Sequence, residues 1–199
     1  MEILHHALLY ALLCKHAIEV LGKSEGEKAI EAFTRDYGLF RGRRMKNNSL
    51  HGDINDFFIN GEWRGRPGEN ISKMSFEKDR SISVVSKCAW YDTWKKYGLL
   101  DYGPYYCRYI DKAIAEGYDS DFTLQVEETI GQGNERCIFR WTVQADETLL
   151  KESERKHILP FEKHCKDLLN SAEKYLDETI LAKTKEDFEK EFGKTELFD

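Results

Sequence analysis

Residues 88–141 read CAWYDTWKKYGLLDYGPYYCRYIDKAIAEGYDSDFTLQVEETIGQGNERCIFRW, and this stretch decides the fold. It holds three of the five cysteines and three of the four tryptophans of the chain. Residues 89–97 and 104–116 have the pattern of two short helices, which Gly98 and Gly117 would end. Apolar residues then alternate over 122–130, glycines turn the chain at 131–134, and a second alternating run covers 137–143. The stretch therefore predicts two helices followed by a β-hairpin.

The flanking sequence adds a second hairpin and three longer helices. Two helices are predicted over 2–21 and 24–45: Gly22 ends the first, and Ser24 with Glu27 forms a capping-box pattern that opens the second. Residues 46–70 are loop-like, with a short helix near 56–58, and residues 71–88 read as a hairpin that turns at 78–81. Pro160 opens the last helix, which lies within 158–199.

The order of these elements predicts an α+β fold. Two hairpins give about four antiparallel strands, and the helices cover one face of the sheet. We expect a single domain over residues 1–199, on which the N-terminal helices (1–45) and the C-terminal helix (158–199) pack.

Composition narrows the class of protein. The chain has a formal net charge of -6 and a pI of about 5.6, which argues against a nucleic-acid partner. Five cysteines without a CxxC pair indicate thiols in a reducing, cytoplasmic compartment, and the spacing predicts neither a metal site nor a cofactor. The apolar residues 3–21 are interrupted by histidines and charges, so we interpret them as a buried helix rather than a membrane anchor. That helix could also pair with a second chain, which leaves a homo-oligomer open.

The first candidate for chemistry is Cys88, at the point where a strand leads into a helix. A helix N-terminus can lower the pKa of a thiol, and a thiolate there could attack an electrophilic carbon. The alternative is a small apolar residue on the sheet face.

Cys107 and Asp111 form the second candidate pair. They are four residues apart on a predicted helix, so they share one face. Together they could act as nucleophile and general base, or they could be a packed cysteine and a solvated aspartate. Nearby aromatic residues, including Tyr106, could line a pocket or form core.

Two charged groups complete the candidate set. Glu128 falls among apolar residues of a strand, so the period of two points it inward, where burial would raise its pKa and suit it to acid–base work. A strand end or a bulge near Glu127 would leave it exposed instead. Arg41 and Arg44 follow Gly38 near the end of the second helix, where they could bind a substrate carboxylate or simply complement the helix dipole.

Three blocks of residues then resemble one known family. They are Tyr37-Gly38 with Arg41-Gly42-Arg43-Arg44-Met45; Cys88-Ala89-Trp90 with Trp94, Gly98, Tyr106-Cys107 and Asp111; and Gly131, Gly133-Asn134 with Cys137-Ile138-Phe139-Arg140. Over about residues 1–145 the sequence resembles the L-2-amino-thiazoline-4-carboxylic acid hydrolase family. The last block is also similar to the ending of 4-vinyl reductase-type small-molecule-binding domains, which have α+β folds.

The first resemblance implies hydrolytic opening of a cyclic amidine that carries a carboxylate. A thiolate of Cys88 or Cys107, or an activated water, would attack the amidine carbon, and Asp111 or Glu128 would move the proton. Arg41 and Arg44 would hold the substrate, and we predict Trp90, Trp94 and Tyr106 around it. Two other hypotheses remain open: a non-catalytic binding domain for a small hydrophobic ligand, and a metal protein that uses Cys88, Cys107, His51 or Asp111.

Overall fold

The structure is a computed structural model that describes residues 1–198. The chain forms helices and strands in a mixed order. The helices are α1 (Ile3–Leu21), α2 (Lys23–Asn47), α3 (Ile54–Ile59), α4 (Ala89–Lys96), α5 (Tyr105–Tyr118), α6 (Glu147–Glu152), α7 (Phe161–Ala172) and α8 (Glu178–Phe192). The strands are β1 (Ile71–Glu77), β2 (Arg80–Lys87), β3 (Leu124–Glu128) and β4 (Cys137–Trp141).

The four strands make one antiparallel sheet in the order β1-β2-β4-β3. Each hairpin supplies two neighbouring strands, and β2 pairs with β4 to join the hairpins, with Val85 opposite Cys137. The predicted α+β class and the four-stranded sheet built from two hairpins are therefore confirmed. The first hairpin turns at Lys78 and Asp79, where Asp79 has a positive φ of 67°, a conformation that aspartate tolerates in turns.

Several predicted helix boundaries are wrong. α2 begins at Lys23, so Ser24 lies inside the helix and does not cap it. Gly117 lies within α5 and does not end it. A Cβ at this position would lie 2.4 Å from the backbone oxygen of Leu39, so only glycine fits there. The last predicted helix is two helices, since Asp177 caps a new one by accepting a hydrogen bond from Ile180 N–H at 3.0 Å. The sequence-based prediction also missed α6.

The chain divides into two compact units. The first unit contains residues 1–37, 89–109 and those from 160 onward, and the second contains 38–88 and 110–159. The prediction of a single domain stays a prediction.

The first unit is all-helical and is built around α1. By length and composition α1 could cross a membrane, but 67% of its most apolar window is buried in the structure, as the sequence predicted. It packs on α4, α7 and α8. Residues that are fully buried there include Leu9, Leu13, Trp94, Leu168 and Phe188.

The second unit contains the sheet. One face carries Leu124 and Trp141, and it packs on Ile54 of α3 and Ala115 of α5. Partly buried aromatic and aliphatic side chains extend this core, namely Phe57, Phe58, Phe76, Phe122, Val126, Phe139, Val143 and Leu150.

Within the second unit, α2 and α5 approach each other closely. A Cβ at Gly42 would lie 2.2 Å from the backbone oxygen of Ile114, and one at Gly38 would lie 2.6 Å from the Cβ of Ala113. Both distances are impossible for a real side chain, so the two glycines allow the contact. The charged residues beside these glycines, Arg41 on α2 and Asp111 on α5, are thereby brought into the same region.

Candidate active site

A buried ion cluster lies at the end of α2. Arg41 Nε donates to Glu62 Oε2 at 3.0 Å, and Arg44 donates to the same carboxylate through Nε at 2.5 Å and Nη2 at 3.1 Å. The side chains of Glu62 and Arg41 are only 1% and 6% exposed, and that of Arg44 is 18% exposed. Two cations thus share one anion in a largely buried place.

The loop after α3 positions Glu62. Its backbone has a φ of 54°, which is uncommon for a residue other than glycine and persists only where the surroundings hold it. Leu159 N–H donates to the carbonyl oxygen of Glu62 at 2.7 Å, and Lys156 N–H donates to that of Ile59 at 2.9 Å. The segment before Pro160 therefore fixes the loop that carries the carboxylate. The sequence-based prediction missed Glu62, because an isolated loop glutamate shows no periodic signal.

Asp111 is the second ionisable group of this region. Burial raises the pKa of its carboxyl to about 6, and the positive charge of Arg41 lowers the pKa in part. The residue itself is half-buried. Because general acids and bases work best when their pKa lies near the working pH, Asp111 has the properties of a proton-transfer group.

The cysteines separate into two groups. Cys14, Cys137 and Cys165 are buried, and burial raises the pKa of each thiol: to about 11 for Cys137 and about 12 for Cys165. Ile130 N–H donates to Cys137 Sγ at 3.3 Å, and the nearby charges of Cys88 and Asp111 raise the pKa of Cys137 further. These three residues are therefore un-ionised thiols at neutral pH, and all three lie in the interior.

The two candidate nucleophiles are the half-buried cysteines. Cys88 follows the last residue of β2 and directly precedes α4, as the sequence predicted, and it belongs to the second unit near Cys137. Cys107 lies on α5 one turn before Asp111, also as predicted, and belongs to the first unit. All five cysteines are present as thiols rather than disulfides.

The predicted inward position of Glu128 is wrong. The β3–β4 register shifts between Val126 and Glu128, so a bulge inserts one residue into the pairing at Glu127. The side chain of Glu128 is 36% exposed and pairs with Arg136 at 3.3 Å. This surface ion pair leaves it no role as a desolvated acid or base.

The three predicted aromatic residues, Trp90, Trp94 and Tyr106, all belong to the first unit. Trp94 is fully buried and donates its indole N–H to the carbonyl oxygen of Ala7 at 2.9 Å. The rings of Trp90 and Tyr106 are nearly parallel, with centroids 6.3 Å apart, and each residue is only 8% exposed. In the structure these three residues are part of the core of the first unit.

The same core contains a hydrogen-bonded chain that the sequence-based prediction missed. Trp90 Nε1–H donates to His6 Nδ1 at 3.1 Å, which places the proton of a neutral His6 on Nε2. His6 Nε2 lies 3.2 Å from the hydroxyl of Tyr37, which lies 3.5 Å from His164 Nδ1. The tryptophan donor therefore sets the direction of the chain, with His6 donating to Tyr37 and Tyr37 donating to His164. These residues are far apart in sequence, so no local sequence motif predicts the network.

Metal binding was an open hypothesis for His51 and the cysteines. Over residues 1–198, no group of three or more His, Cys, Asp or Glu side chains is placed to hold a metal ion. His51 is exposed, and its backbone N–H donates to Asp56 at 2.5 Å.

The sheet and helices make this an α+β protein, and its second unit contains a buried arginine–carboxylate cluster and an aspartate whose pKa is raised by burial to about 6. The chain belongs to the L-2-amino-thiazoline-4-carboxylic acid hydrolase family, whose model matches residues 1–141. This membership indicates a hydrolase-like function for the matched part of the chain. No curated protein and no solved structure gives a significant match.

Proposed function

We propose that this protein hydrolyses a C–N bond in a small cyclic amidine that carries a carboxylate, such as L-2-amino-thiazoline-4-carboxylate. The observation that carries the proposal is Asp111, a carboxyl with a pKa of about 6 that lies beside a buried arginine in a chain of this family. A hydrolase needs one group that both accepts and returns a proton near neutral pH. Asp111 meets that requirement.

The arginine cluster supports the substrate class. Arg41 and Arg44 bring two guanidinium groups to one place, where both bond the carboxylate of Glu62. A guanidinium binds a carboxylate through parallel hydrogen bonds, which orients it as well as attracting it. A carboxylate held at Arg41 would place the rest of a small ring within reach of the neighbouring Asp111.

In the simplest mechanism Asp111 activates a water molecule. Its carboxylate takes one proton as the water oxygen attacks the amidine carbon, and it passes that proton to the ring nitrogen as the C=N bond becomes single. The hydroxyl then gives the second proton of the water to the same nitrogen as the C–N bond breaks and the carbonyl forms. Both protons of the water end on the nitrogen, and the ring opens to a carbamoyl-cysteine type of product.

The alternative mechanism begins with a thiolate. Cys88 directly precedes α4, and the N-terminus of a helix stabilises a negative charge. The Cys88 thiol would give its proton to Asp111 as its sulfur attacks the amidine carbon, and Asp111 would pass that proton to the ring nitrogen. This nitrogen takes a second proton from the exocyclic amino group as the C–N bond breaks. Water would then add to the same carbon, and Cys88 would leave as the thiol when the carbonyl forms. We place the reaction in a reducing cytosol, where both half-buried thiols stay reduced.

The test is turnover of L-2-amino-thiazoline-4-carboxylate, followed by chromatography and mass spectrometry of the opened product. We expect Asp111→Asn to lower kcat at least 100-fold, since general acid–base catalysis contributes about 10²–10⁴. The exposed Asp121→Asn serves as a matched control and should keep full activity.

Three further results would decide the mechanism. Loss of activity in Cys88→Ser but not in Cys107→Ser favours the thiolate route, whereas full activity in both variants favours activated water. No turnover by the wild-type chain would reject the proposed substrate.

A further inference from the structure

The strand β1 lies at one edge of the sheet and pairs there on one side only. In the order β1-β2-β4-β3 its single neighbouring strand among residues 1–198 is β2. Five of its seven side chains are exposed, and those of Met74 and Phe76 are half-buried. An edge strand presents a row of backbone N–H and C=O groups that a further strand can bind. The outer edge of β1 is therefore open to pairing with another chain.

The opposite edge of the sheet is protected by its own structure. β3 has only five residues, and its pairing contains the bulge at Glu127. Short edge strands and bulges hinder pairing with another chain. β1 has seven residues without a proline, and its register with β2 is regular from Ser72 to Glu77. Of the two edges, β1 is thus the one that suits a further strand.

We propose that β1 is a dimer interface, at which β1 of a second copy of this chain pairs antiparallel with Ser75 opposite Ser75. The two sheets would then form one sheet of eight strands, four from each copy. A two-fold axis perpendicular to the sheet relates the copies, so each face of the sheet continues on the same side. Residues that lie opposite each other must then share a face, which limits the possible registers. This surface lies outside the residues that we assign to catalysis.

The charges on the outer face of β1 favour this register. Lys73, Ser75 and Glu77 share that face, because alternate side chains of a strand point to the same side. With Ser75 on the axis, Lys73 of each copy lies opposite Glu77 of the other, and cross-strand pairs of opposite charge are favourable. Within the chain Arg80 lies opposite Glu77. Each Glu77 would therefore lie between two cations, one from its own copy and one from the other.

Other registers lose these pairs of opposite charge. With Met74 on the axis, Lys73 lies opposite an uncharged serine. With Phe76 on the axis, Lys73 reaches only Asp79 in the turn, whose φ of 67° is outside the range of a strand. Placing Lys73 or Glu77 itself on the axis brings like charges together, which is unfavourable.

The other face and the backbone fit the same register. Met74 and Phe76 share the face on which Phe76 packs against the core, and each would lie opposite the other across the axis. Contacts between a methionine sulfur and an aromatic ring are favourable. The turn between β1 and β2 has two residues, 78–79, so Glu77 and Arg80 exchange backbone hydrogen bonds with each other. Because the bonding direction alternates along a strand, the N–H and C=O groups of Met74 and Phe76 point to the open edge.

The first experiment is disulfide cross-linking of the full chain that carries Ser75→Cys. In the proposed register position 75 forms a non-hydrogen-bonded pair, whose Cα atoms lie about 4.5 Å apart, within the range of a disulfide. The matched control is Ser72→Cys on the same strand, whose two copies would be roughly 20 Å apart. We expect mild oxidation to give a covalent dimer for Ser75→Cys and only the wild-type background for Ser72→Cys. Peptide mapping checks that the bond joins the two copies of position 75.

The second experiment is sedimentation velocity of two charge variants. Lys73→Glu puts anions opposite each other across the axis, and Glu77→Lys puts cations opposite each other. Each variant alone should therefore raise the dissociation constant of the dimer about tenfold or more. In an equimolar mixture the two variants are complementary, so the dissociation constant should return to within about threefold of the wild-type value. Mixing would not restore a dimer that either substitution had lost through damage to the fold.

The outcomes that overturn the inference are specific. A wild type that stays monomeric at the highest soluble concentration contradicts it, and so do charge variants that dimerise as tightly as the wild type, because the dimer would then use another surface. Equal cross-linking of Ser72→Cys and Ser75→Cys, or a mixture of the charge variants that stays monomeric, rejects the register on which it rests. Circular dichroism checks that each variant is folded. None of these measurements involves hydrolysis, so they leave the proposed function unaffected.

Discussion

Removing the charge of Glu62 should destabilise the second unit strongly. In Glu62→Gln the side chain keeps its shape, but Arg41 and Arg44 lose their shared anion. The side chain of Arg41 is 6% exposed and cannot regain water without moving, whereas that of Arg44 is 18% exposed and also lies 5.0 Å above the Phe40 ring. Breaking a buried ion pair by removing one partner costs about 3–5 kcal/mol. Because Arg44 has this second support, we expect the lower end, about 3 kcal/mol.

Urea unfolding measures this loss. With a slope of roughly 2 kcal/mol per M, a loss of about 3 kcal/mol lowers the midpoint by about 1.5 M. The matched control is Glu147→Gln, which breaks a pair with Lys151 whose side chains are 53% and 72% exposed. Exposed helical pairs contribute only about 0.3–0.5 kcal/mol, so the control should hardly move the midpoint.

A double-mutant cycle sharpens the result. Arg41→Gln combined with Glu62→Gln should cost less than the sum of the two single changes, with a coupling of about 1–3 kcal/mol. If Glu62→Gln lowers the midpoint no more than Glu147→Gln does, the cluster is hydrated in solution and the reasoning about its charge fails.

Three further predictions concern other parts of the chain. Asp111→Asn should raise the free energy of unfolding above pH 6 by up to about 3 kcal/mol, because the folded-state pKa of about 6 exceeds the ordinary value of 3.8. The folded protein binds the extra proton between these two values, so stability falls as pH rises through that window, and the gain of the variant should vanish below pH 4 in urea titrations. Gly42→Ala should cost about 1–3 kcal/mol by thermal unfolding, because its Cβ would overlap Ile114 of α5; a loss no larger than that of Gly61→Ala, whose Cβ would meet only the flexible end of Arg155, would contradict the close contact. Tyr37→Phe should cost about 1–3 kcal/mol, because it leaves the buried nitrogens of His6 and His164 without the hydroxyl between them, and an unchanged melting temperature would count against the network.

The sequence predicted those parts of the fold whose signals are local. Both hairpins were found because apolar residues alternate along their strands, and α4 and α5 were found because apolar residues recur at the helical period with a glycine near each C-terminal end. The division of the last helix was missed, although Asp177 is a favourable N-cap residue, since the apolar stripe continues across the break at Leu176 and Ile180. The predicted position of Glu128 was wrong for a similar reason. A bulge adds one residue to the strand, and counting alternate positions in the sequence does not detect it.

The sequence predicted the two arginines and the aspartate of the candidate site but not its glutamate. Arg41 and Arg44 were identified because they lie at the end of a predicted helix, and Asp111 because it lies four residues from Cys107 on one face of another. Glu62 lies in an irregular loop with a positive φ, and its significance comes only from the two arginines that it meets in space. Contacts between distant segments depend on how the loops close, which no local period encodes.

The energetics of the second unit support the proposal that its charges serve chemistry rather than stability. A buried Arg–Glu–Arg arrangement contributes little over well-packed apolar residues of the same volume. Asp111 lowers stability at neutral pH by up to about 3 kcal/mol, which is a large part of the roughly 5–15 kcal/mol that holds a typical domain together. A neutral asparagine would remove that cost without changing the size of the side chain. The carboxyl that is expensive to bury is also the one whose pKa suits proton transfer, and the arginine beside it is the group that a substrate carboxylate would need. If Asp111→Asn unfolds at a higher free energy and has no activity, then the protein gives up stability at this position in exchange for its function.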